Sequence, residues 1–273
     1  MRVNTQRVKG RMKSSLGKVI FGLRLHHFFL KDAAVVVTFH RVNDTTVRDG
    51  LTCHVEMFQR YCLFFAKYFE VIPLGTLVER INNGTQVGNE LAITFDDGYR
   101  DNYEFAAPLL KAAGLPATFF VVSQFIGTEC VPWWDASLSV RQPWMTWDQV
   151  RSLHSEGFEI GAHSRTHADL GEVCGEKAKE EILSSRLELE ERLSAPVDLF
   201  AYPYGAKDRM REENRQVVKA AGFSCCCSCF GGTNGRGTDP FYLRRIAISS
   251  WYESPHHFGF ELARNGSWGG GVC

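Results

Sequence analysis

The sequence lacks net charge, because 31 aspartates and glutamates match its 31 lysines and arginines over 273 residues. A nucleic-acid-binding protein normally concentrates positive charge, so we expect no nucleic-acid partner. The sequence also lacks internal repeats. It is not short of apolar residues, since 44% are hydrophobic and 23% are charged. This composition excludes a disordered chain and predicts a soluble globular protein with a sizeable core.

The first 32 residues contain a single acidic side chain, Asp32, and eight basic ones, which gives this segment a net charge of +7. Arg24, His26 and His27 interrupt its apolar run and no small-residue cleavage site follows, so we expect no secretory signal. The run is also too short and too polar for a transmembrane helix. Two alternatives stay open for residues 1–32: a disordered leader, or a basic helix in peripheral contact with an anionic membrane.

The nine cysteines are odd in number and irregularly spaced, which disfavours a disulfide framework. We therefore predict a reducing, cytoplasmic location, with peripheral contact to the inner membrane as an option. Four cysteines cluster at Cys225, Cys226, Cys227 and Cys229. Adjacent side chains on a strand point to opposite sides and cannot all face one ion. We interpret the cluster as a strand of small, buried side chains.

Short apolar runs alternate with stretches of helical periodicity, a pattern typical of a mostly parallel sheet or barrel. The region 127–145 lacks this periodicity, carries three tryptophans and is interpreted as a long loop over one face. The predicted strands are 34–39, 91–95, 117–122, 158–162, 199–202, 223–227 and 243–248. The predicted helices are 55–68, 101–113, 146–155, 176–193 and 211–220.

Two adjacent carboxylates, Asp96 and Asp97, directly follow the predicted strand 91–95. Active sites of α/β barrels lie at this end of the strands. Because neighbouring side chains on extended backbone point to opposite sides, one aspartate can bind a cation while the other handles a proton. Gly98 then permits a sharp turn, and an ordinary Asp-Gly turn is the alternative interpretation.

Two histidines, His163 and His167, follow the predicted strand 158–162. In helical or turn geometry this spacing brings both imidazoles to one side, where they can bind a transition metal together. With a carboxylate from another strand end they would form a two-histidine, one-carboxylate site with positions left for water and substrate. His40 and Tyr202 also stand at strand ends, and His40 taken alone is interpreted as an ordinary hydrogen-bonded histidine.

These residues resemble the motifs of the polysaccharide deacetylases with a NodB-type domain, also called carbohydrate esterase family 4. The three motifs stand in order as TFDDG at 94–98, HSRTH at 163–167 and AYPYG at 201–205. The resemblance implies a single-domain α/β fold, a distorted, TIM-barrel-like (β/α)7 barrel. We accordingly divide the chain into the basic leader, a deacetylase domain over 33–264 and a glycine-rich tail over 265–273.

The resemblance also implies the roles of the site residues. Asp97, His163 and His167 are expected to bind a divalent metal, and Asp96 is expected to act as general base toward a metal-activated water. The oxyanion is expected to be held by the metal and by the backbone N–H of Tyr204. Zinc is the first expectation for the metal, with cobalt, nickel and iron as alternatives, because this ligand set accepts several ions.

The late strand departs from the family pattern. Most members carry the catalytic acid there in a leucine-histidine pair, and this sequence has Leu243 and Arg244. The block Phe39-His40-Arg41 resembles instead the circularly permuted branch that deacetylates poly-N-acetylglucosamine. That resemblance makes His40 the candidate general acid.

The third motif departs from the family pattern as well. Ala201 stands where most members have the arginine that tethers the catalytic aspartate. We hypothesise that Arg244 or Arg245, arriving from the last strand, orients Asp96 instead. Aromatic faces suit pyranose rings, so Tyr202 or the tryptophans Trp144 and Trp147 are candidate sugar contacts, although core packing is the simpler role for Trp147.

The resemblance thus implies a metal-dependent hydrolase that removes acetyl groups from N-acetylglucosamine-type oligosaccharides or polysaccharides. One alternative is a deacylase or deformylase of a glycolipid precursor, which a membrane-contacting basic segment would suit. Another is a noncatalytic carbohydrate-binding barrel, suggested by the missing arginine and the missing late histidine.

Overall fold

The computed structural model describes residues 2–45 and 49–266, so most of the expected glycine-rich tail (265–273) lies outside the described residues. Within these ranges, the strands are β1 (Ala33–Phe39), β2 (Arg41–Val42), β3 (Thr52–Cys53), β4 (Glu70–Val71), β5 (Glu90–Phe95), β6 (Thr118–Val121), β7 (Glu159–Ala162), β8 (Leu199–Ala201), β9 (Cys225–Cys227), β10 (Asn234–Gly235) and β11 (Ile246–Ala247). Nine of them form a curled sheet, in which seven parallel strands follow the order β11-β1-β5-β6-β7-β8-β9. Strand β4 pairs parallel with β5, and β10 pairs antiparallel with β1.

The chain around β11 brings the two edges of this sheet together. Leu243 forms a parallel bridge with Cys227 of β9, and Ile246 of β11 pairs with Val37 of β1. The sheet therefore curls into the distorted barrel that the family resemblance implies, with a weakly paired seam at β11.

Apolar side chains on both faces of the parallel strands build the core, which explains why these strands read as continuous hydrophobic runs. All six residues of β5 are buried, and so are Cys225–Cys227 of β9. The interpretation of the cysteine cluster as a buried strand is thus confirmed for these three residues, whereas Cys229 lies beyond the strand and is partly exposed. Phe39, Phe95 and Phe119 on three adjacent strands stack in series, with ring centroids 5.5 and 4.8 Å apart.

Helices cover the sheet, and the five predicted helical segments begin and end within a residue or two of their predicted positions. Residues 102–106 form a π-helical turn (Asn102–Ala106) inside the predicted helix 101–113. Thr146 and Gln149 form the expected capping box. The α-helices are α1 (Arg2–Gly22), α2 (His26–Phe29), α3 (Val55–Tyr68), α4 (Leu74–Asn82), α5 (Ala107–Ala113), α6 (Trp147–Ser155), α7 (Gly175–Leu193), α8 (Glu212–Ala220) and α9 (Pro255–Gly266).

Helices α2, α4 and α9 have no counterpart in the predicted elements, and the N-terminus of α4 is stabilised from elsewhere in the chain. The Glu159 carboxylate accepts hydrogen bonds from the backbone N–H groups of Leu74 and Gly75, at 2.9 and 3.0 Å. A carboxylate in this place satisfies unpaired donors of the first helical turn and interacts favourably with the helix dipole.

The N-terminal segment is structured, so the alternative of a disordered leader is wrong for residues 2–22. Helix α1 packs along α9, and Lys13 forms an ion pair with Glu261 at 2.5 Å. Phe21 and Leu30 are fully buried in the same core cluster as Val35 of β1. Of the helices that the structure describes, none has the length and apolar character needed to cross a membrane.

Candidate active site

The carboxylates of Asp96 and Asp97 lie where β5 ends, and both are almost fully buried. Asp97 has a φ of 73° and Gly98 a φ of 90°, so the chain turns sharply as it leaves the strand. A Cβ atom at Gly98 would lie 2.8 Å from Ile126 Cδ1, and glycine is therefore needed for both conformation and space. This turn directs the two neighbouring carboxylates into different surroundings.

Asp97, His163 and His167 converge as the sequence predicts. The Nε2 atoms of His163 and His167 lie 3.4 and 3.3 Å from Asp97 Oδ1. One potential ligand atom from each residue lies within 4.8 Å of the other two, a spacing suited to a single ion. Among the described residues this is the one group of at least three histidine, cysteine or acidic side chains with such a geometry.

The chemistry of this donor set fits a divalent transition metal. His163 Nδ1 lies 2.8 Å from the Ala201 carbonyl oxygen, which only accepts, so Nδ1 carries the proton and Nε2 presents its lone pair to the cluster. Asp97 Oδ1 is buried and has no well-aligned hydrogen-bond partner among the described residues. Burial alone would raise the pKa of Asp97, but the two imidazoles hold that pKa well below its usual range. The carboxylate is therefore ready to bind a cation.

Left-handed backbone is concentrated at this cluster. Asp97, Ser164, His167 and Tyr204 have φ values of 73°, 57°, 60° and 58°. Residues other than glycine rarely adopt this conformation, and such strain is characteristic of functional sites, where the surrounding fold enforces it. Holding these side chains in place therefore lowers the stability of the fold.

Arg245 holds the second carboxylate, Asp96. Its Nη1 and Nη2 atoms donate to Oδ1 and Oδ2 of Asp96, both at 2.7 Å. Its Nε donates to the Ser228 carbonyl at 2.7 Å, and Nη1 also lies 3.1 Å from Thr94 Oγ1. Burial alone would raise the pKa of Asp96, but the Arg245 guanidinium keeps that pKa below its usual range.

Of the two arginines proposed to orient Asp96, Arg244 is excluded. Its side chain lies against Gly232, and its backbone exchanges hydrogen bonds with Asn234 at 2.8 and 2.9 Å. Successive side chains on extended chain point to opposite sides, so only Arg245 enters the barrel. Ala201, which stands in place of the family arginine, contributes its carbonyl to His163.

His40 also lies near the Asp96 carboxylate. Its Nε2 atom is 4.0 Å from Asp96 Oδ2, and its side chain is partly accessible. Burial lowers the pKa of this imidazole, although Asp97 and Asp96 act in the opposite direction. Asn102, the first residue of the π-helical turn, donates a hydrogen bond of 2.8 Å to the His40 carbonyl and fixes its backbone. Single π-helical turns of this kind are frequent at functional sites.

The expected sugar contacts Tyr202 and Trp144 are wrong, because both side chains are buried. The Tyr202 hydroxyl donates to the Leu170 carbonyl at 2.9 Å, and the Trp144 ring stacks on Tyr99 with centroids 4.5 Å apart. Trp147 packs against the hydrophobic core, as its simpler interpretation requires.

Two other tryptophans line the site, and sequence reasoning did not assign them there. Trp134 lies beside His167 with ring centroids 4.7 Å apart, and the exposed Trp133 donates from Nε1 to the Tyr204 hydroxyl at 3.1 Å. Tyr204 itself lies 4.9 Å from His167, measured between ring centroids. Their clustering in the non-periodic region 127–145 was the available signal.

A buried polar network fastens this region over the strand ends. Asp135 forms an ion pair with Arg41 and accepts a 2.7 Å hydrogen bond from the Tyr99 hydroxyl. The same hydroxyl accepts a hydrogen bond of 2.8 Å from Trp134 Nε1. Because Arg41 follows His40 directly, this network connects Trp134 to the end of the strand that precedes His40.

The family of the chain follows from a comparison with protein-family models. Residues 83–226 match the model described as polysaccharide deacetylase. The chain belongs to the polysaccharide deacetylase family. The match includes four of the clustered residues, namely Asp96, Asp97, His163 and His167.

Individual polysaccharide deacetylases are similar to parts of this chain. The Bacillus subtilis protein named "Putative polysaccharide deacetylase YxkH" is 26% identical over 157 residues, which are 58% of this chain and 50% of that protein. A chitin deacetylase of Arthroderma benhamiae is 30% identical over 105 residues, 37% of this chain and 23% of that protein. The chain thus spans half or less of the length of these curated relatives.

Solved structures confirm the barrel fold. The Streptococcus pyogenes deacetylase PplD, in complex with acetate, superposes with a TM-score of 0.70 at 17% identity, covering 83% of this chain and 96% of that one. IcaB from Ammonifex degensii gives a TM-score of 0.67 at 19% identity, covering 86% and 97%. At these identities the likeness establishes the fold.

Proposed function

We propose that the chain is a metal-dependent hydrolase that deacetylates N-acetylated sugars of the N-acetylglucosamine type. The observation that carries this proposal is the convergence of two units at one barrel end. One unit is the Asp97, His163 and His167 cluster, and the other is the buried carboxylate of Asp96 held by Arg245.

Asp97, His163 and His167 would hold the divalent ion, for which zinc is the first candidate and cobalt, nickel and iron are alternatives. When bound there, the ion supplies Lewis acidity toward the acetamide carbonyl and lowers the pKa of a bound water. The chain contributes the geometry: the Ala201 carbonyl orients His163, and left-handed backbone orients Asp97 and His167.

Asp96 would serve as the general base. Its bidentate contact with Arg245 keeps it ionised and fixes its orientation, so it can accept a proton from water that attacks the acetyl carbon. Attack forms a C–O bond and later breaks the C–N bond, which releases acetate and a sugar amine.

His40 would donate the proton that the departing amine nitrogen needs. Its Nε2 atom, 4.0 Å from Asp96 Oδ2, lies close enough for base and acid to flank the same small substrate group. The hydrogen bond from Asn102 to the His40 carbonyl holds this position. Proton acceptance by Asp96 and donation by His40 together balance the reaction.

Two further features of the site fit deacetylation of a sugar. The backbone N–H of Tyr204 is the proposed oxyanion donor, since this left-handed residue lies directly beside His167. Trp133 and Trp134 offer aromatic faces at the rim, and such faces pack well against the apolar faces of pyranose rings.

The proposal is tested by measuring acetate release from N-acetylglucosamine oligomers before chelation, after chelation and after zinc is restored. We expect release to disappear with the metal and to return with it. Release that survives complete metal removal would refute the mechanism. Release from an acylated glycolipid, with none from oligomers, would replace the proposed substrate, and metal binding without any hydrolysis would favour a binding barrel.

A further inference from the structure

Helix α1 turns its small side chains toward the rest of the protein. Ser14 Oγ lies 2.6 Å from Ser254 Oγ, next to the N-terminus of α9. A Cβ atom at Gly17 would lie only 1.9 Å from the His256 carbonyl oxygen, so the two backbones are in close contact. Phe21 completes this inner face and is fully buried. The docking of α1 therefore uses small residues and one aromatic side chain.

The apolar side chains of α1 lie on the opposite, outer face. Their spacing of four, four, three and four residues confines them to an arc of roughly 80° on an ideal helix. We call this set the outer stripe. It consists of Val8, Met12, Leu16 and Val19 of α1 and of Leu23, which directly follows the helix; their exposed fractions are 61%, 59%, 45%, 55% and 68%.

This arrangement is the reverse of the usual one, in which a helix of a globular protein buries its apolar face against the core. The outer stripe contributes little to the core, because roughly half or more of each of its side chains is exposed to solvent. Contiguous exposed apolar surface of this kind marks an interaction site.

Positive charge borders the outer stripe on both sides. On a helical projection Lys9 lies next to one edge of the stripe, while Arg11 and Lys18 lie beyond the other, and all three are exposed. No acidic residue precedes Asp32 in the sequence. The acidic side chains that contact α1, Glu253 and Glu261, lie on its packed side near Gly10 and Lys13. An exposed apolar face flanked by cations is the pattern of a helix that lies in the interface of an anionic bilayer.

We propose that the outer face of α1 docks on the surface of an anionic lipid bilayer, with the outer stripe at the boundary between headgroups and acyl chains. The charge pattern selects this partner over a second copy of the chain. Two copies meeting through α1 would bring two like-charged basic borders together, whereas anionic headgroups neutralise them. The docked helix would hold the barrel at the membrane without crossing it.

The test is cosedimentation of the full chain with vesicles of phosphatidylcholine mixed with phosphatidylglycerol, and with vesicles of phosphatidylcholine alone. We expect binding to the anionic vesicles, weakening as salt is raised. Leu16→Glu should lower this partitioning about tenfold or more, because the transfer free energy of a buried leucine is at least the ~1.4 kcal/mol that a tenfold change requires. The matched control, Leu187→Glu on the exposed face of α7, should bind like the parent.

Thermal unfolding of each variant separates loss of binding from loss of fold, and Met12→Glu gives an independent second position in the outer stripe. Equal binding to both kinds of vesicle, or unchanged binding by a folded Leu16→Glu or Met12→Glu, would overturn the proposal. Self-association by ultracentrifugation that Leu16→Glu abolishes, without vesicle binding, would instead assign the face to a second copy. No substrate enters this assay, so its failure leaves the proposed deacetylase function untouched.

Discussion

Arg245 and Asp96 form a buried bidentate ion pair across 149 residues of sequence, with both hydrogen bonds 2.7 Å long. The arginine comes from the segment that leads into β11, and the aspartate follows β5. Paired guanidinium and carboxylate groups of this kind fix orientation as well as charge. Arg245 therefore orients Asp96 in place of the family arginine, whose position Ala201 occupies.

Replacing this arginine should therefore disable Asp96. We expect Arg245→Met to lower kcat about hundredfold or more, because a small misplacement of a catalytic group has an effect of this size. Loss of one partner also leaves a buried charge, at a cost of about 3 to 5 kcal/mol in the free energy of unfolding. Steady-state kinetics and urea unfolding measure the two effects.

Arg245→Lys should recover part of kcat, since it restores the positive charge but not the two parallel hydrogen bonds of the guanidinium. Arg244→Met is the matched control and should behave like the parent. Equal losses in the Arg244 and Arg245 variants would contradict the assignment of Arg245 as the residue that positions Asp96.

The three-residue cluster should determine metal content. His167→Ala removes one of three expected ligands. We expect metal affinity to fall about tenfold to hundredfold or more, and acetate release to be lost. Elemental analysis after dialysis measures bound metal directly. His154→Ala, on the exposed surface of α6, is the control and should retain it. Full metal occupancy in a folded His167→Ala variant would exclude the proposed ligand set.

His40 should matter for turnover more than for binding. We expect His40→Ala to lower kcat by about 10²-fold to 10⁴-fold, the range typical of a lost general acid, with little change in KM. His54→Ala, whose side chain pairs with Asp44 at the surface, is the control. Turnover close to that of the parent across the whole pH profile would require another acid.

Trp133 should contribute to glycan binding. Trp133→Ala removes an exposed ring that donates to the Tyr204 hydroxyl. We expect KM for oligomers to rise several-fold, because one stacking contact contributes about 1 kcal/mol, while kcat stays near the parental value. The comparably exposed Trp251→Ala serves as control. Parental KM values for oligomers of every length would remove Trp133 from the substrate site.

Acid should loosen the N-terminal part of the fold through His26. Burial lowers the pKa of this histidine from 6.5 to about 4, so the imidazole resists protonation while the protein is folded. The contribution of His26 to the free energy of unfolding is therefore fully present above pH 6.5 and is lost as pH falls toward 4, by about 2 kcal/mol at pH 5. Urea unfolding at pH 7 and pH 5 should show this loss in the parent and a smaller one in His26→Phe.

An exposed histidine on α6 provides the control for this experiment, because His154→Phe should keep the parental pH dependence. The same pH dependence in the parent and in His26→Phe would show that other groups govern acid stability.

The local sequence was sufficient to predict the site residues that directly follow a strand. The motif residues Asp96, Asp97, His163 and His167 all stand just beyond buried apolar runs, and the structure places them together at one end of the barrel. Helix α3 has the predicted bounds because an amphipathic pattern runs its whole length.

Features set by contacts distant in sequence could not be predicted. Alternation shows that Arg244 and Arg245 point to opposite sides, but only the pairing of β11 with β1 decides which one enters the barrel. Tyr202 has an aromatic ring suited to sugars, yet its hydroxyl finds a partner in the Leu170 carbonyl and its ring is buried. Likewise, Glu159 stabilises the start of α4 from a strand 85 residues away.

The most direct test of the account separates metal binding from proton transfer with the Asp96→Asn variant, which keeps the size of the side chain. We predict full metal occupancy, as in the parent, and a loss of acetate release from N-acetylglucosamine oligomers of at least about hundredfold. Release near the parental rate by a metal-loaded Asp96→Asn enzyme would contradict the central claim that the carboxylate held by Arg245 is the base.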